Sequence, residues 1–327
     1  MQKAIIKQPL IYTFTSLTLR TKNIDILCIG EVLIDFIGHQ PNVRINETRD
    51  YHRYLGGSPA NVAMNASRLG LNSTMVATVG NDGFGEYVFN RFTEIGVDSS
   101  YVKKRALSTS VVFVSRSEGT PDFIPYRDAD YHISEDQIPS DLLANTAIFH
   151  TSCFALSKKP AQETILKKAQ EAFNLGCQLS IDLNYASRLW DSKEEAMEVI
   201  KTYCALNPLL KISEDDMLRF FGKEMPHEDI FSFFHNLGVD TVCLTCGSKG
   251  VKHSRKGEKT IQLPAIKIEK VLDTTGAGDA FWSGFLFAYI DQRPATECLQ
   301  IALQLAALKL QNVGRLPNNI TILSNLL

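Results

Sequence analysis

The chain has 327 residues, 44% of them hydrophobic, enough to bury a large core as one big α/β domain or two smaller ones. Its formal charge of −2 gives no electrostatic case for nucleic acid or an anionic membrane surface, and no apolar run approaches the ~18 residues a membrane span needs. Its seven cysteines, odd in number and scattered, argue against a disulfide scaffold and fit a reducing cytoplasm.

Residues 1–22 carry no acidic side chain and precede the first strand signal. Lys7, Gln8 and Pro9 interrupt any apolar targeting core, so the segment reads as an N-terminal extension without assigned function. From residue 23 onward strand and helix signals alternate. Ile24–Gly30 is an apolar strand; Glu31–Leu55 then breaks the alternation with short strand-like runs. Gly56-Gly57-Ser58-Pro59-Ala60-Asn61 opens a helix over 59–69, with Ser58 suited to the N-cap, Pro59 to the first turn and Gly70 to the C-terminal cap. Val62, Ala66 and Leu69 form its buried stripe, the glycine pair leaves room for a ligand, and Asn61 can donate to and accept from hydroxyls.

A strand at Thr74–Gly80 follows, then a second break at Leu107–Tyr131, where Val111–Arg116, a Glu118-Gly119 turn and Asp122–Tyr126 read as part of a small inserted antiparallel sheet. Strands recur at Thr146–Thr151, Gln178–Asp182, Lys211–Ser213 and Asp240–Thr245, separated by helical stretches such as Ala161–Leu175 and Lys193–Cys204. Such alternation predicts a mostly parallel sheet with helices on both faces, and a ligand site at the carboxyl ends of its strands. Cys243 and Cys246 form a C-x-x-C, but three residues apart on a strand they face opposite ways and read as core. Thr245-Cys246-Gly247-Ser248-Lys249-Gly250, just past that strand, has a hydroxyl and glycine backbone suited to cradling phosphates. The chain has neither G-x-x-x-x-G-K-[ST] nor G-x-G-x-x-G after its first strand, which argues against a P-loop enzyme and a dinucleotide dehydrogenase.

The run Asp273-Thr274-Thr275-Gly276-Ala277-Gly278-Asp279 is the most informative. A strand end stops at a glycine turn and an apolar helix follows, with Phe281, Phe285, Ala288 and Tyr289 about one turn apart. The N–H groups of Gly276, Ala277 and Gly278 can converge on an anion, and Asp279 puts a carboxylate in the same turn. An anion hole beside a base is what phosphoryl transfer to a hydroxyl requires.

The 56–70 and 271–281 segments together resemble the two signatures of the ribokinase (PfkB) family of carbohydrate kinases, and the resemblance runs from about Asp25 to Gly314. It implies a ribokinase-like three-layer α/β fold for residues 23–327, with a small antiparallel β lid from segments about 36–55 and 107–130 that covers the sugar and can form a homodimer contact. It further implies that Asp279 is the catalytic base, that Gly276–Gly278 hold the transferring phosphoryl group, and that Asp35, Gly56, Gly57 and Asn61 bind the sugar. Thr245, Gly247 and Gly250 would line the ATP site. Lys211, Ser213 and Asp216 stand where the family's N-x-x-E organises Mg²⁺, with Ser for Asn and Asp for Glu. Asp273 and Thr275 resemble ligands of K⁺ or another monovalent cation, with Gly314 a weaker candidate.

Gly-Gly-Ser-Pro-Ala-Asn and Tyr126-Arg127-Asp128-Ala129-Asp130 are most similar to the fructokinase branch, so the expected reaction is ATP-dependent phosphorylation of fructose. Arg127 would face the sugar from the lid side, or pair with a substrate carboxylate as in 2-keto-3-deoxygluconate kinases. Ala186 stands where both branches have arginine, with Arg188 two residues later, and this weighs against the sugar acid. Other hexoses, pentoses and nucleosides stay open as substrates, as does a sugar-binding relative without catalysis.

Overall fold

In the first strand, β1 (Ile24–Ile29), Ile26 and Cys28 point to one side, Leu27 and Ile29 to the other, and all four are fully buried. A strand covered on both faces belongs inside a sheet flanked by helices on both sides. The computed structural model, which describes residues 22–116, 122–317 and 320, has that architecture. The N-terminal segment 1–21 and the Glu118-Gly119 turn lie outside the described residues.

After β1 come β2 (Leu33–Pro41), β3 (Tyr51–Gly56), α1 (Ser58–Arg68), β4 (Ser73–Gly80), α2 (Gly83–Ile95) and β5 (Asp98–Arg105). The middle of the chain forms β6 (Val111–Arg116), β7 (Phe123–Tyr126), α3 (Ser140–Ala144), β8 (Thr146–Ser152), α4 (Ala161–Asn174) and β9 (Gln178–Asp182). Next are α5 (Lys193–Cys204), β10 (Leu209–Ser213), α6 (Glu214–Phe221), α7 (His227–Asn236) and β11 (Thr241–Thr245). Last are β12 (Val251–Arg255), β13 (Ile261–Leu263), α8 (Ala277–Ile290) and α9 (Ala295–Leu310).

Nine strands form the main sheet in the order β13-β12-β11-β10-β9-β8-β1-β4-β5. All neighbours from β11 to β5 are parallel; β12 and β13 add an antiparallel edge. β4 and β8 are buried along their whole length, as strands central to a parallel sheet must be. One core cluster joins the sheet to α4–α7 and the other to α1, α2, α8 and α9, giving three layers. α8 is apolar round most of its circumference because it is sandwiched between α1 and α9. On it, Trp282 stacks on Phe285 with ring centroids 4.8 Å apart, and its indole N–H donates to Ser180 Oγ at 2.9 Å.

The expected inserted sheet is present, in the order β3-β2-β6-β7. Its two antiparallel pairs, β2–β3 and β6–β7, meet through a parallel contact between β2 and β6. One local expectation fails. Gly57, at φ 102°, is the N-cap of α1, and Ser58 is the first residue inside the helix, so its hydroxyl is free for another partner.

Candidate functional site

The helix α8 starts at the glycine turn. Gly276 caps it at φ 74°, a left-handed conformation that glycine adopts without steric cost. The Ala277 amide closes onto the Thr274 carbonyl at 3.1 Å, so the expected trio of anion donors reduces to Gly276 and Gly278. Asp279 follows, partly buried. Its Oδ1 accepts from Ser58 Oγ at 2.7 Å and its Oδ2 from Asn61 Nδ2 at 2.8 Å. Burial pushes its pKa above the ordinary aspartate value, while these two donors and the charges of Lys211 and Lys309 restrain the rise.

Asn61, expected on the sugar, thus spends its side-chain amide on Asp279. Asp35, on β2, lies nearby: burial, then the charges of Asp279 and Asp273, push its pKa up to about 7. Asp35 also explains Gly56, since a Cβ there would collide with its carboxylate. Glu31 was not singled out by sequence. It is buried, its Oε1 accepts from the Ser58 amide at 2.9 Å and its Oε2 from Ser152 Oγ at 2.7 Å, and burial raises its pKa to about 8.

Lys211 ends in the same place. Its ammonium holds both oxygens of Asp182 at 2.9 and 3.0 Å, and a Cβ on Gly278 would lie 2.8 Å from it. Burial works against its charge, but Asp182, Asp216 and Asp279 prevail and raise its pKa. Ser213 and Asp216 form a capping box at the start of α6: the Ser213 amide and hydroxyl donate to Asp216 Oδ2, and the Asp216 amide donates to Ser213 Oγ. Arg219 takes Asp216 Oδ1 at 2.7 Å. Both carboxylate oxygens of Asp216, expected near Mg²⁺, thus have protein donors. Thr245 ends β11 beside Ser213, and the Gly247–Gly250 turn follows at the same carboxyl edge.

At the expected monovalent-cation site, the Asp273 carboxylate already has protein partners. Asp273 Oδ1 accepts from the Thr275 amide at 3.0 Å; Oδ2 accepts from the Gly314 amide at 2.8 Å and from the Lys309 ammonium at 3.2 Å. A protein cation already stands on this carboxylate, and a second one beside it would be repelled. Lys309 lies far from the motif in sequence and was missed.

Arg127 is pinned rather than extended. Its Nε and Nη2 grip Asp130 Oδ2 at 2.9 and 2.7 Å, its Nη1 donates to Ser157 Oγ at 2.6 Å, and it stacks over Phe154. Arg127 lines a cavity of about 1040 Å³ with Arg53, Asp82, Lys158, Arg188 and Tyr126, under the smaller sheet. Arg188, left uncertain by sequence, does reach that cavity, paired with Asp122 at 3.2 Å. Asp279 and the glycine turn are not among its lining residues.

Cys243 belongs to one face of the main sheet and Cys246 to the other, as their spacing predicts. Cys246 is more than core, however. Past the end of β11 it meets Glu214, the first residue of α6, and His227, the first of α7, with ligand atoms all within 4.8 Å of one another. Sequence spacing had suggested no histidine near it.

This geometry has relatives. A 6-phosphofructokinase, ATP-dependent, of Thermoanaerobacterium thermosaccharolyticum is 38% identical over 293 residues, covering 90% of each chain. The structure of Halothermothrix orenii fructokinase is 33% identical with a TM-score of 0.76, covering 86% of this chain and 97% of that one. An uncharacterized sugar kinase of Pyrococcus horikoshii, solved in complex with ATP, is 28% identical with a TM-score of 0.79, covering 91% and 97%. The family model for pfkB carbohydrate kinases matches residues 23–321, nearly all of the described chain, and the protein belongs to that family of phosphotransferases with a hydroxyl acceptor.

Proposed function

We propose that this enzyme uses ATP to phosphorylate a hydroxyl of a fructose-class ketose. One observation carries the reading: Asp279, a partly desolvated carboxylate oriented by Ser58 and Asn61, at a helix N-terminus and beside Asp35. A sugar hydroxyl bound to Asp279 would face a phosphoryl group seated on the Gly276 and Gly278 amides. As the new O–P bond forms, Asp279 takes the hydroxyl proton, the bond to the β-phosphate oxygen breaks, and ADP leaves. The Lys211 ammonium below Gly278 offsets the developing charge. Asp35 accepts from a second sugar hydroxyl. Mg²⁺ belongs to the co-substrate, carried on the ATP phosphates. The smaller sheet acts as a lid that excludes water from the cleft.

Arg127 disfavours the sugar acid, because Asp130 already matches its charge and no free guanidinium is left for a substrate carboxylate. A second reading, fructose 6-phosphate, is supported by the 38% identical relative's name and by the cavity under the lid. Arg53 and Lys158 line it, and neither pairs with a carboxylate among the described residues. The test is ADP release from Mg-ATP with fructose, fructose 6-phosphate, ribose, 2-keto-3-deoxygluconate and nucleosides. Dominant turnover on fructose supports the first reading, and on its 6-phosphate the second. Preference for ribose, the sugar acid or a nucleoside sinks the fructose class. Sugar binding without ADP release would mark a non-catalytic relative.

A further inference from the structure

The ammonium of Lys309 is one of the most deeply placed charges in the molecule, with 3% of its side chain exposed. It donates to Asp273 Oδ2 at 3.2 Å and to the Asn312 carbonyl at 3.0 Å. A Cβ on Gly276 would sit 3.7 Å from Lys309 Cε and 3.8 Å from Asp279 Oδ2, so the lysine runs directly behind the glycine turn. α9, which carries Lys309, is also tied to the irregular segment entering that turn, through the Leu272 amide on the Leu310 carbonyl at 2.8 Å. We propose that Lys309 is a built-in monovalent cation: a positioning residue whose ammonium joins Asp273 to the C-terminal segment and supplies fixed positive charge behind the anion-binding turn. The proposal rests on reading residues 276–279 as that turn. A carboxylate and a carbonyl oxygen converging on one point would otherwise call for a metal ion, and the lysine satisfies both without one.

The test varies K⁺ at constant ionic strength, with tetramethylammonium as the balancing cation. Wild-type turnover should change by less than about twofold, since the charge is covalently supplied. Lys309→Ala, which leaves both oxygens and vacates the space, should lose roughly tenfold to a hundredfold in kcat, and K⁺, NH₄⁺ or methylammonium should restore part of it. A second readout needs no turnover: K⁺ should raise the melting temperature of Lys309→Ala and leave that of the wild type unchanged. Strong K⁺ activation of the wild type overturns the proposal. So does a folded Lys309→Ala that keeps full activity, or one that no small cation rescues or stabilises.

The cluster of Glu214, His227 and Cys246 stands on a separate observation. Three elements each deliver one ligand type, and His227 Nε2 and Glu214 Oε1 already lie 2.9 Å apart. Glu214 and His227 are partly exposed while Cys246 is buried, so an ion entering from solvent would meet sulfur at the bottom. Sulfur, imidazole and a single carboxylate are a donor set for zinc-class ions and a poor one for Mg²⁺. Lys249, 3.7 Å from Glu214, is an exposed side chain able to turn away. We infer that these residues form a three-ligand site for a thiophilic divalent cation at the nucleotide edge of the sheet, with a fourth position left for water.

Titration of metal-free protein with Co²⁺ should yield one equivalent bound with a thiolate-to-cobalt charge-transfer band, displaced by Zn²⁺. Cys246→Ser should abolish the band, and His227→Asn, at a partly exposed position, should weaken binding about tenfold or more with the circular dichroism unchanged. Binding without the band, the signature of an imidazole-only site such as the exposed His39–His52 pair, overturns the assignment, as does a band that survives Cys246→Ser.

Discussion

The proposed chemistry centres on a single carboxylate, Asp279. A base works only when deprotonated, so kcat/KM should be lost as pH falls through its folded-state pKa. Burial raises that pKa, which places the acid limb above the ordinary aspartate value of about 3.9. Asp279→Asn should remove the limb and cut kcat by roughly 10²–10⁴. ATP affinity, measured by calorimetry, should hold within about threefold, since a transition-state contact is what was removed; near-normal turnover would take the base assignment away. Gly56 makes a different demand. Gly56→Ala forces a methyl against the Asp35 carboxylate and should raise the sugar KM by about tenfold with little change for ATP. Equal effects on both substrates would mean that Asp35 does not face the sugar.

Among the elements, α1 and α8 act as one unit, because Ser58 and Asn61 of one hold Asp279 of the other. Ser58→Ala deletes a charge-assisted bond worth roughly 1.5–3 kcal/mol, all of it favouring the ionised base. At 1.36 kcal/mol per unit, the acid limb should move up by about one pH unit or more, and a profile coincident with wild type would refute the coupling. This linkage also shows what could be read from sequence. The glycine turn, the start of α1 near Pro59 and the buried strands were legible because backbone conformation and burial periodicity are local properties. Ser58 was expected to cap its own helix, a local rule, and instead serves a residue 221 positions away. Lys309 on Asp273 and His227 beside Cys246 were illegible for the same reason. Each is a pairing of side chains made by the packing of distant elements, and neither spacing nor composition encodes it.

For the molecule as a whole, the question is how the two sheets communicate. Arg116, at the end of β6, donates from Nε and Nη2 to the Leu272 carbonyl at 3.3 and 3.2 Å, and from Nη1 to the His39 carbonyl at 3.2 Å. It latches the smaller sheet to the residue that precedes the Asp273–Asp279 turn. Arg116→Ala should loosen that latch, and ATP hydrolysis without sugar should rise severalfold relative to sugar phosphorylation; an unchanged ratio would argue that the smaller sheet is no lid. The chain's two tryptophans divide this same territory between them. Trp282 stands three residues beyond Asp279, while Trp190 directly follows Arg188 and Leu189 on the wall of the cavity under the smaller sheet. Trp282 has its N–H bonded to Ser180, and Trp190 Nε1 is buried without a partner among the described residues, so their emission should differ. With either replaced by phenylalanine, the other becomes a private optical channel: a change at Trp190 would report occupancy of that cavity and a change at Trp282 would report events at the Asp279 turn, so that the order in which the two regions fill could be read from light alone.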